Sequence, residues 1–146
     1  MTTPTTVLVC GSRSWRDPAP IVRRLDGVLA ESGPDLIVMH GAASGADAIA
    51  GAWAKAREIE GAGVVNEPHP ADWQNATPRR AAGAYRNRAM LAALLAYQEA
   101  GRRVLLLGFR IDGRSPGTDD MVGLAKRAGI HGYIVTEKAA LRICSR

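Results

Sequence analysis

The chain has 146 residues, of which 47% are apolar and 23% charged, and this is the length and composition of one globular domain. No stretch approaches the roughly 18 consecutive apolar residues that a membrane-spanning helix requires. Residues 1–6 lack the charged and apolar regions of a signal peptide. These features exclude a helical membrane protein, and we expect a single cytoplasmic domain over residues 1–146 with no membrane partner.

The net charge of +5 is compatible with two kinds of partner, a nucleic acid or a small phosphorylated molecule. The arginines are spread over several segments and form neither a tail nor a stripe, which favours a small anionic ligand, or plain solubility, over nucleic acid. The two cysteines, Cys10 and Cys144, belong to no CxxC motif and no cysteine–histidine cluster. We therefore predict no disulfide framework, no metal site and no cofactor, and we interpret Cys10 as a small core residue.

Short apolar runs alternate with helical patterns along the chain. Strands are predicted at residues 6–10, 36–39, 64–65, 103–107 and 133–135. Helices are predicted from Pro18 to the Gly33-Pro34 stop, from about Ala46, over residues 82–99 and over residues 119–128. For the C-terminal residues after the fifth strand we predict a short helix or a frayed tail. The alternation predicts an α/β fold, with an open, mostly parallel sheet of about five strands and helices on both faces.

Residues 82–99 form a strong helical pattern, and the second half of this helix is apolar on nearly every side. Such a helix needs cover on more than one face. Either a second copy of the chain packs against it in a twofold dimer, or the sheet and a neighbouring helix cover both faces. We expect a homodimer through residues 82–99.

Three glycine-bearing loops follow the predicted strands. Their sequences are GSR at residues 11–13, GAASGAD at residues 41–47 and SPGTDD at residues 115–120. Right-handed crossovers place the carboxyl ends of parallel strands on one edge of the sheet. The three loops should therefore meet at one crevice, which is where open α/β sheets bind their ligands.

The first loop offers an anion several kinds of donor. Gly11 and Ser12 contribute backbone N–H groups and a hydroxyl, and the planar guanidinium of Arg13 suits a phosphate. The alternative is a plain strand-to-loop turn with an exposed arginine. Trp15, close by, either stacks on a base or sugar or caps the core.

The second loop is rich in small residues, which let the backbone approach a ligand closely. We expect Gly41, Ser44 and Gly45 to contact the ligand, and Ser44 also to cap the helix that follows. Asp47 either accepts a ribose hydroxyl, or holds the loop, or simply stabilises the positive end of the helix dipole. His40, at a strand end, is a candidate ligand contact.

The third loop, at residues 115–120, carries the strongest single motif. A strand, a Gly/Ser/Thr loop and a helix start form the geometry that holds phosphate, because the first N–H groups of a helix have no partner in the helix. The ligand-binding residues that we predict here are Ser115, Pro116, Gly117 and Thr118. In one interpretation Asp119 and Asp120 both stabilise the positive end of the helix dipole. In the other, Asp120 faces the crevice and acts on a sugar.

Arg86 and Asn87 lie on the helix over residues 82–99. Adjacent helical residues project about 100° apart, so these two need not share a target, and helix geometry alone would place them on a solvated face. A carboxylate at Asp120 beside a phosphate needs compensating positive charge, which Arg13 and Arg86 can supply.

The ordered set of motifs resembles the YspA/YpsA-related branch of the SLOG superfamily over nearly the whole chain. These motifs are VLVCGSR at residues 7–13, HGAASGAD at 40–47, HPADW at 69–73, YRNRAM at 85–90 and SPGTDDM at 115–121. The resemblance implies a Rossmann-like fold, a nucleotide or nucleotide-derived ligand at the crevice, and often a homodimer. The branch is common in bacteria, phages and other mobile elements.

The superfamily includes LOG-type phosphoribohydrolases, the DNA-processing protein DprA, and sensor domains that bind nucleotide signals made from NAD. In LOG-type enzymes a PGGxGTxxE motif binds phosphate and supplies a glutamate, and an arginine on the long helix is also used. Here the similar stretch at residues 115–120 has one glycine fewer and aspartates in place of glutamate. The resemblance implies Asp120 and Arg86 as catalytic residues. We also predict Asn87 as a ligand contact.

Three functions follow from these observations. The first is a sensor or sequestering module for an NAD- or ADP-ribose-like phosphorylated ligand. The second is hydrolysis of the N-glycosidic bond of a nucleoside 5′-monophosphate or a related molecule, in which Asp120 stabilises the oxocarbenium-like sugar or activates water. The third is DNA binding in the manner of DprA. We expect ligand binding in preference to hydrolysis. We do not expect nucleic acid as a partner.

Overall fold

The computed structural model describes residues 2–75, 78, 81–111, 113 and 115–143. The elements in chain order are β1 (Thr5–Gly11), α1 (Pro18–Ser32), β2 (Leu36–His40), α2 (Ala46–Ile59), β3 (Val64–Pro68), α3 (Ala82–Glu99), β4 (Arg103–Phe109), α4 (Pro116–Arg127), β5 (Gly132–Val135) and β6 (Ala140–Arg142). They confirm the predicted alternation of strands and helices.

The strands form one six-stranded sheet in the order β3-β2-β1-β4-β5-β6. All neighbouring strands from β3 to β5 are parallel, and β6 is antiparallel to β5. The chain thus has the predicted α/β, mostly parallel, Rossmann-like fold. The sheet has one strand more than the five expected, because β6 adds to its edge.

Alternating side chains of the central strand β1 separate two core layers. Val7 and Val9 pack with residues of α1 and α2 on one face of the sheet. Leu8 and Cys10 pack with residues of α3 and α4 on the other face. Because successive residues of a strand point to opposite faces, a continuous apolar run is what a strand covered on both faces requires. The prediction of helices on both faces is confirmed.

The prediction for the C-terminal residues is wrong where the structure describes them. Instead of a helix or a tail, residues 140–142 pair with β5 as the strand β6. A tight turn reverses the chain, with Thr136 N donating to Ala139 O at 2.7 Å and Thr136 Oγ1 accepting from Ala139 N at 3.0 Å. We predict no disulfide for Cys144, and this residue lies outside those that the structure describes.

The third loop is shorter than predicted. β4 continues to Phe109, and α4 begins at Pro116 instead of residue 119. Proline is well suited to the first helical position, since its fixed φ matches the helix and its missing N–H would have no partner there. Gly117 and Thr118 are therefore in the first turn of α4, where backbone N–H groups point out of the helix.

None of the helices in the part of the chain that the structure describes is long and apolar enough to cross a membrane.

Candidate functional site

The three loops meet at the carboxyl edge of the sheet, and Ser12 joins them. Its N–H donates to Phe109 O at 2.8 Å, and its carbonyl accepts from Ala46 N at 3.2 Å. Its hydroxyl accepts from Ile111 N at 3.0 Å and lies 2.7 Å from the hydroxyl of Ser115. One buried serine thus forms hydrogen bonds to the end of β4, to the start of α2 and to the N-cap of α4. These bonds hold the three loops together around the crevice.

A cavity of about 260 Å³ opens between these loops. The predicted site residues that line it are Gly11, Ser12, Arg13, Asp47, Asn87, Ser115, Pro116, Gly117 and Thr118. Cys10, Ser14, Ala43 and Met90 complete its wall. The first and third loops face each other across this cavity.

A second cavity of about 260 Å³ adjoins the first, because Arg13 and Ala43 line both. Gly41, Ser44 and Arg86, all predicted site residues, line the second cavity. The remainder of its wall comes from Ala42 and from the segment after β3, with Pro70, Ala71 and Trp73. The crevice therefore has two compartments, which meet at Arg13.

The turn into α2 corrects the prediction for Ser44. The N-cap of α2 is Gly45, with φ of 75°, and among the described residues no side chain caps this helix. The hydroxyl of Ser44 instead donates to Arg13 O at 3.4 Å. A Cβ at Gly45 would lie 2.3 Å from Ser12 O, so this glycine allows the first two loops to pack together and does not line either compartment.

Asp47 holds the second loop through its buried carboxylate. The residue is 5% exposed, and its Oδ2 accepts hydrogen bonds from Gly41 N at 3.0 Å and Ala43 N at 3.3 Å. Burial raises the pKa of Asp47, although these hydrogen bonds and the charge of Arg86 act in the opposite direction. Within the described chain, the second oxygen, Oδ1, is buried without a hydrogen-bond partner.

Asn87 links the two residues that were predicted to be catalytic. Its amide nitrogen donates to Asp120 Oδ2 at 2.9 Å and to Gly117 O at 3.2 Å. Its amide oxygen accepts from Arg86 Nε at 3.0 Å. Arg86 and Asp120 thus lie on opposite sides of one buried amide, with Arg86 at the second compartment and Asp120 exposed at the start of α4.

Arg86 also fixes the second loop, since its Nη1 donates to Gly41 O. Partial burial lowers the pKa of Arg86, the nearby carboxylate of Asp47 opposes that shift, and the charge of Arg13 adds to it. Two guanidinium groups, from Arg13 and Arg86, therefore lie close together at the crevice. Two like charges this close repel each other, and a bound anion reduces that repulsion.

The first turn of α4 faces the first compartment without a side-chain cap. Ser115 is the N-cap, but among the described residues its hydroxyl contacts Ser12 and caps no backbone N–H of α4. The N–H groups of Gly117 and Thr118 are those that an N-cap hydroxyl usually satisfies. Asp119, in the same turn, pairs with Arg110 Nε at 2.9 Å. The negative charge of Asp119 is thereby compensated outside the cavity.

Several residues near the crevice have structural roles. His40 is buried, its Nδ1 accepts from Ala42 N at 3.0 Å, and its Nε2 therefore carries the proton that is donated to Asn66 Oδ1 at 2.9 Å. Trp15 is 2% exposed and packs edge-to-face on Phe109, so it belongs to the core.

Cys10 is confirmed as a core residue. It is 7% exposed, and burial, with a smaller contribution from Asp47, raises the pKa of its thiol. Such a thiol is a poor nucleophile because it stays protonated. Within the described residues, no group of three histidine, cysteine or acidic side chains is arranged to hold a metal ion.

Two contacts of the site lie outside the predicted set. The guanidinium of Arg13 lies 5.6 Å from the centre of the Trp73 indole, and Arg110 neutralises Asp119. Trp73 belongs to the HPADW motif, which carries part of the family resemblance. Its position at the crevice depends on the path of the chain after β3, for which the local sequence has no periodic signal.

Comparison with known proteins yields two matches. A family model described as YspA, cpYpsA-related SLOG matches residues 5–75, which include the first two loops and Trp73. The Gene 61 protein of Mycobacterium phage D29 is 40% identical over 124 residues, which cover 85% of this chain and 90% of that protein. The second match extends the likeness beyond residues 5–75, and its phage source fits the expected association with mobile elements.

Proposed function

Because the chain belongs to the YspA, cpYpsA-related SLOG family, we propose that it binds a phosphorylated, nucleotide-derived ligand of the NAD or ADP-ribose kind in the two-compartment crevice. In this proposal the protein acts as a sensor or a sequestering module. The ligand's phosphate binds in the first compartment, at the start of α4.

The observation that carries the proposal is the uncapped first turn of α4. A serine at the N-cap ordinarily accepts a hydrogen bond from the second or third N–H of its helix. Ser115 instead contacts Ser12, and the turn at Gly117 and Thr118 faces a cavity. An anion is the natural occupant of such a helix end, since it meets both the N–H groups and the positive end of the helix dipole.

The charges around the crevice support an anionic ligand. Arg13 lines both compartments, and Arg86 lines the second. Of the nearby acids, Asp119 is paired with Arg110 and Asp47 is buried with a raised pKa. A phosphate in the first compartment would meet the guanidinium of Arg13, with that of Arg86 nearby in the second compartment. Guanidinium–phosphate bonds are among the stronger hydrogen bonds in proteins.

Native mass spectrometry of the freshly purified protein tests this proposal. We expect a retained small molecule whose mass and fragments identify a phosphorylated nucleotide derivative. The Arg13→Ala variant should retain less of it, because that substitution removes a charged donor from both compartments. A retained ligand without phosphate, or retention unchanged by Arg13→Ala, would contradict the proposal.

A second candidate function, N-glycosidic hydrolysis, is favoured by one observation. The carboxylate of Asp120 is held by Asn87, which also lines the first compartment, so an acid stands near the proposed phosphate site. Against hydrolysis, Asp120 itself is exposed and lies outside the set of residues that line that compartment. We therefore rank ligand binding above catalysis.

Release of adenine from AMP, followed by chromatography, distinguishes the two functions. If the chain is a hydrolase, wild-type protein should release adenine and the Asp120→Asn variant should not, while both should still bind AMP. If wild-type protein binds AMP and releases no adenine, hydrolysis of this substrate is excluded and the binding role stands.

A further inference from the structure

Trp73 is an aromatic side chain that the proposed phosphate site does not use. It is 44% exposed, whereas the other two tryptophans, Trp15 and Trp53, are 2% and 6% exposed. Its indole forms one wall of the second compartment of the crevice. A large apolar ring at the mouth of a ligand cavity, with its surface partly in water, is suited to covering a flat apolar group.

The indole is held from two sides. The guanidinium carbon of Arg13 lies 5.6 Å from its ring centre, within the range of a cation–π contact. Gly83 of α3 faces its edge, and a Cβ built on this glycine would lie 3.5 Å from Cη2 of the indole. The ring is therefore positioned by the first loop and by α3, although it comes from the segment after β3.

Arg13 connects the indole to the phosphate compartment. It lines both cavities, and its guanidinium carbon lies at the indole. A phosphate is the stronger partner, since it forms charge-assisted hydrogen bonds with a guanidinium, whereas an exposed cation–π contact is weak. We therefore expect a phosphate in the first compartment to compete with Trp73 for Arg13.

We propose that the ligand is a nucleotide with its base intact, and that the base stacks on the Trp73 indole in the second compartment while Arg13 pairs with the phosphate in the first. This inference rests on the proposed function and adds to it the residue that holds the base. A bare sugar phosphate would fill only the first compartment.

Most of the remaining wall of the second compartment offers apolar contact to a flat occupant, while Ser44 and Arg86 supply its polar groups. Gly41, Ala42, Ala43, Pro70 and Ala71 carry no polar side-chain atoms. Stacking on an aromatic ring depends on the π face, which every base has. The compartment therefore recognises a base by its shape and its face.

Isothermal titration calorimetry with AMP and with ribose 5-phosphate tests the inference. For wild-type protein we expect AMP to bind more tightly than ribose 5-phosphate. Trp73→Ala should weaken AMP binding about 5- to 150-fold, the range expected for the loss of one base–aromatic stack, and should not weaken ribose 5-phosphate binding. Trp73→Phe, which keeps an aromatic face, should restore most of the affinity for AMP.

Tyr85→Ala is the matched control. Tyr85 is 49% exposed, comparable with Trp73, and lies on α3 outside the second compartment. Its substitution should alter neither affinity. A loss of AMP binding in Tyr85→Ala equal to that in Trp73→Ala would show a general effect of removing surface aromatic rings and would overturn the inference.

Quenching of tryptophan fluorescence by acrylamide provides an independent readout in the unmodified chain. Because Trp73 is far more exposed than Trp15 and Trp53, it should account for most of the quenching, and Trp73→Phe should remove that component. We expect AMP to protect this component and ribose 5-phosphate not to protect it.

The outcomes separate this inference from the proposed function. If AMP and ribose 5-phosphate bind equally well and Trp73→Ala changes neither affinity, the phosphate site stands and the stacking role of Trp73 is wrong. If neither compound binds, the proposed function fails and the inference fails with it.

Discussion

The carboxylate of Asp47 is buried at the start of α2, and burial raises its pKa above the ordinary value of 3.8. A group with a raised pKa in the folded protein binds its proton more tightly there than in the unfolded chain. Its contribution to stability is therefore complete below pH 3.8 and is lost as the pH rises through the folded pKa.

The Asp47→Asn substitution should remove this dependence. We expect the free energy of unfolding of wild-type protein, relative to the variant, to fall as the pH rises above 3.8 and then to level off. Urea denaturation across this pH range measures the difference. Asp72→Asn is the matched control, because hydrogen bonds from Asn75 lower the pKa of Asp72 and give the opposite slope. If the difference in unfolding free energy between wild-type protein and Asp47→Asn does not depend on pH, the assignment is wrong.

Gly45 is required where the first two loops touch. Its φ is 75°, and a Cβ there would lie 2.3 Å from Ser12 O. Gly45→Ala should therefore destabilise the fold by about 1–3 kcal/mol, because it adds a backbone clash to an unfavourable φ. Gly27→Ala, where a Cβ meets nothing within 4 Å in the middle of α1, should be neutral or stabilise by up to about 1 kcal/mol. Equal unfolding midpoints for the two variants would contradict this reading.

The sequence predicted which loops meet, because parallel strands place their carboxyl ends together whatever their side chains. It did not predict how individual groups pair inside the crevice. The bond between Ser12 and Ser115 and the contact between Arg13 and Trp73 join residues that are 103 and 60 positions apart. Such pairs follow from the relative placement of loops, which no local pattern of residues encodes.

Among the elements, α3 was predicted over its full length, residues 82–99, since a long helical pattern is a strong signal. The start of α4 was placed three residues late, because Pro116 and Gly117 are also typical of loops. The strand β6 has only three residues and is defined by its pairing with β5, so its own sequence carries no strand pattern. The start of α4 was missed because its local signals are ambiguous, and β6 was missed because only its pairing with β5 defines it.

The outer face of α3 is the surface through which we propose a homodimer. Met90 and Leu94 are buried against the sheet and α4, which covers one side of the helix. Ala89, Ala92 and Ala96 are exposed on the other side, and small residues at such spacing let two helices approach closely.

Sedimentation equilibrium tests the dimer. Wild-type protein should sediment as a dimer, and Ala92→Glu should yield monomers, because it places two charges at the twofold contact. Ala30→Glu, an exposed position on α1, is the control and should remain dimeric. A monomeric wild-type protein, or a dimer unaffected by Ala92→Glu, would refute this interface.

At the scale of the whole molecule, the chain carries a net charge of +5, and arginines line cavities at two ends of the sheet. Arg13 and Arg86 lie at the crevice, at the carboxyl edge. A separate groove of about 420 Å³ near the amino ends of β4 and β5 is lined by Arg23, Arg24 and Arg103, of which Arg103 pairs with Glu31. Within the part of the chain that the structure describes, these two groups of arginines therefore lie apart, at opposite ends of the strands.

Binding to DNA should accordingly be weak and non-specific. At physiological salt we expect dissociation constants no tighter than about 10⁻⁴–10⁻⁶ M for single- or double-stranded DNA, with a steep fall in affinity as salt rises. Fluorescence anisotropy over a series of salt concentrations measures both quantities. Submicromolar binding that persists at high salt would contradict this expectation and favour the DNA-binding function.

The most direct test of the central claim, that the crevice binds a nucleotide by its phosphate, is a calorimetric comparison of AMP with adenosine on wild-type protein. The two compounds differ only in the phosphate that we assign to the start of α4 and to Arg13. Loss of one charge-assisted hydrogen bond costs about 1.5–3 kcal/mol, so AMP should bind at least about tenfold more tightly than adenosine. Equal affinities for the two compounds, or no binding of AMP, would contradict the claim.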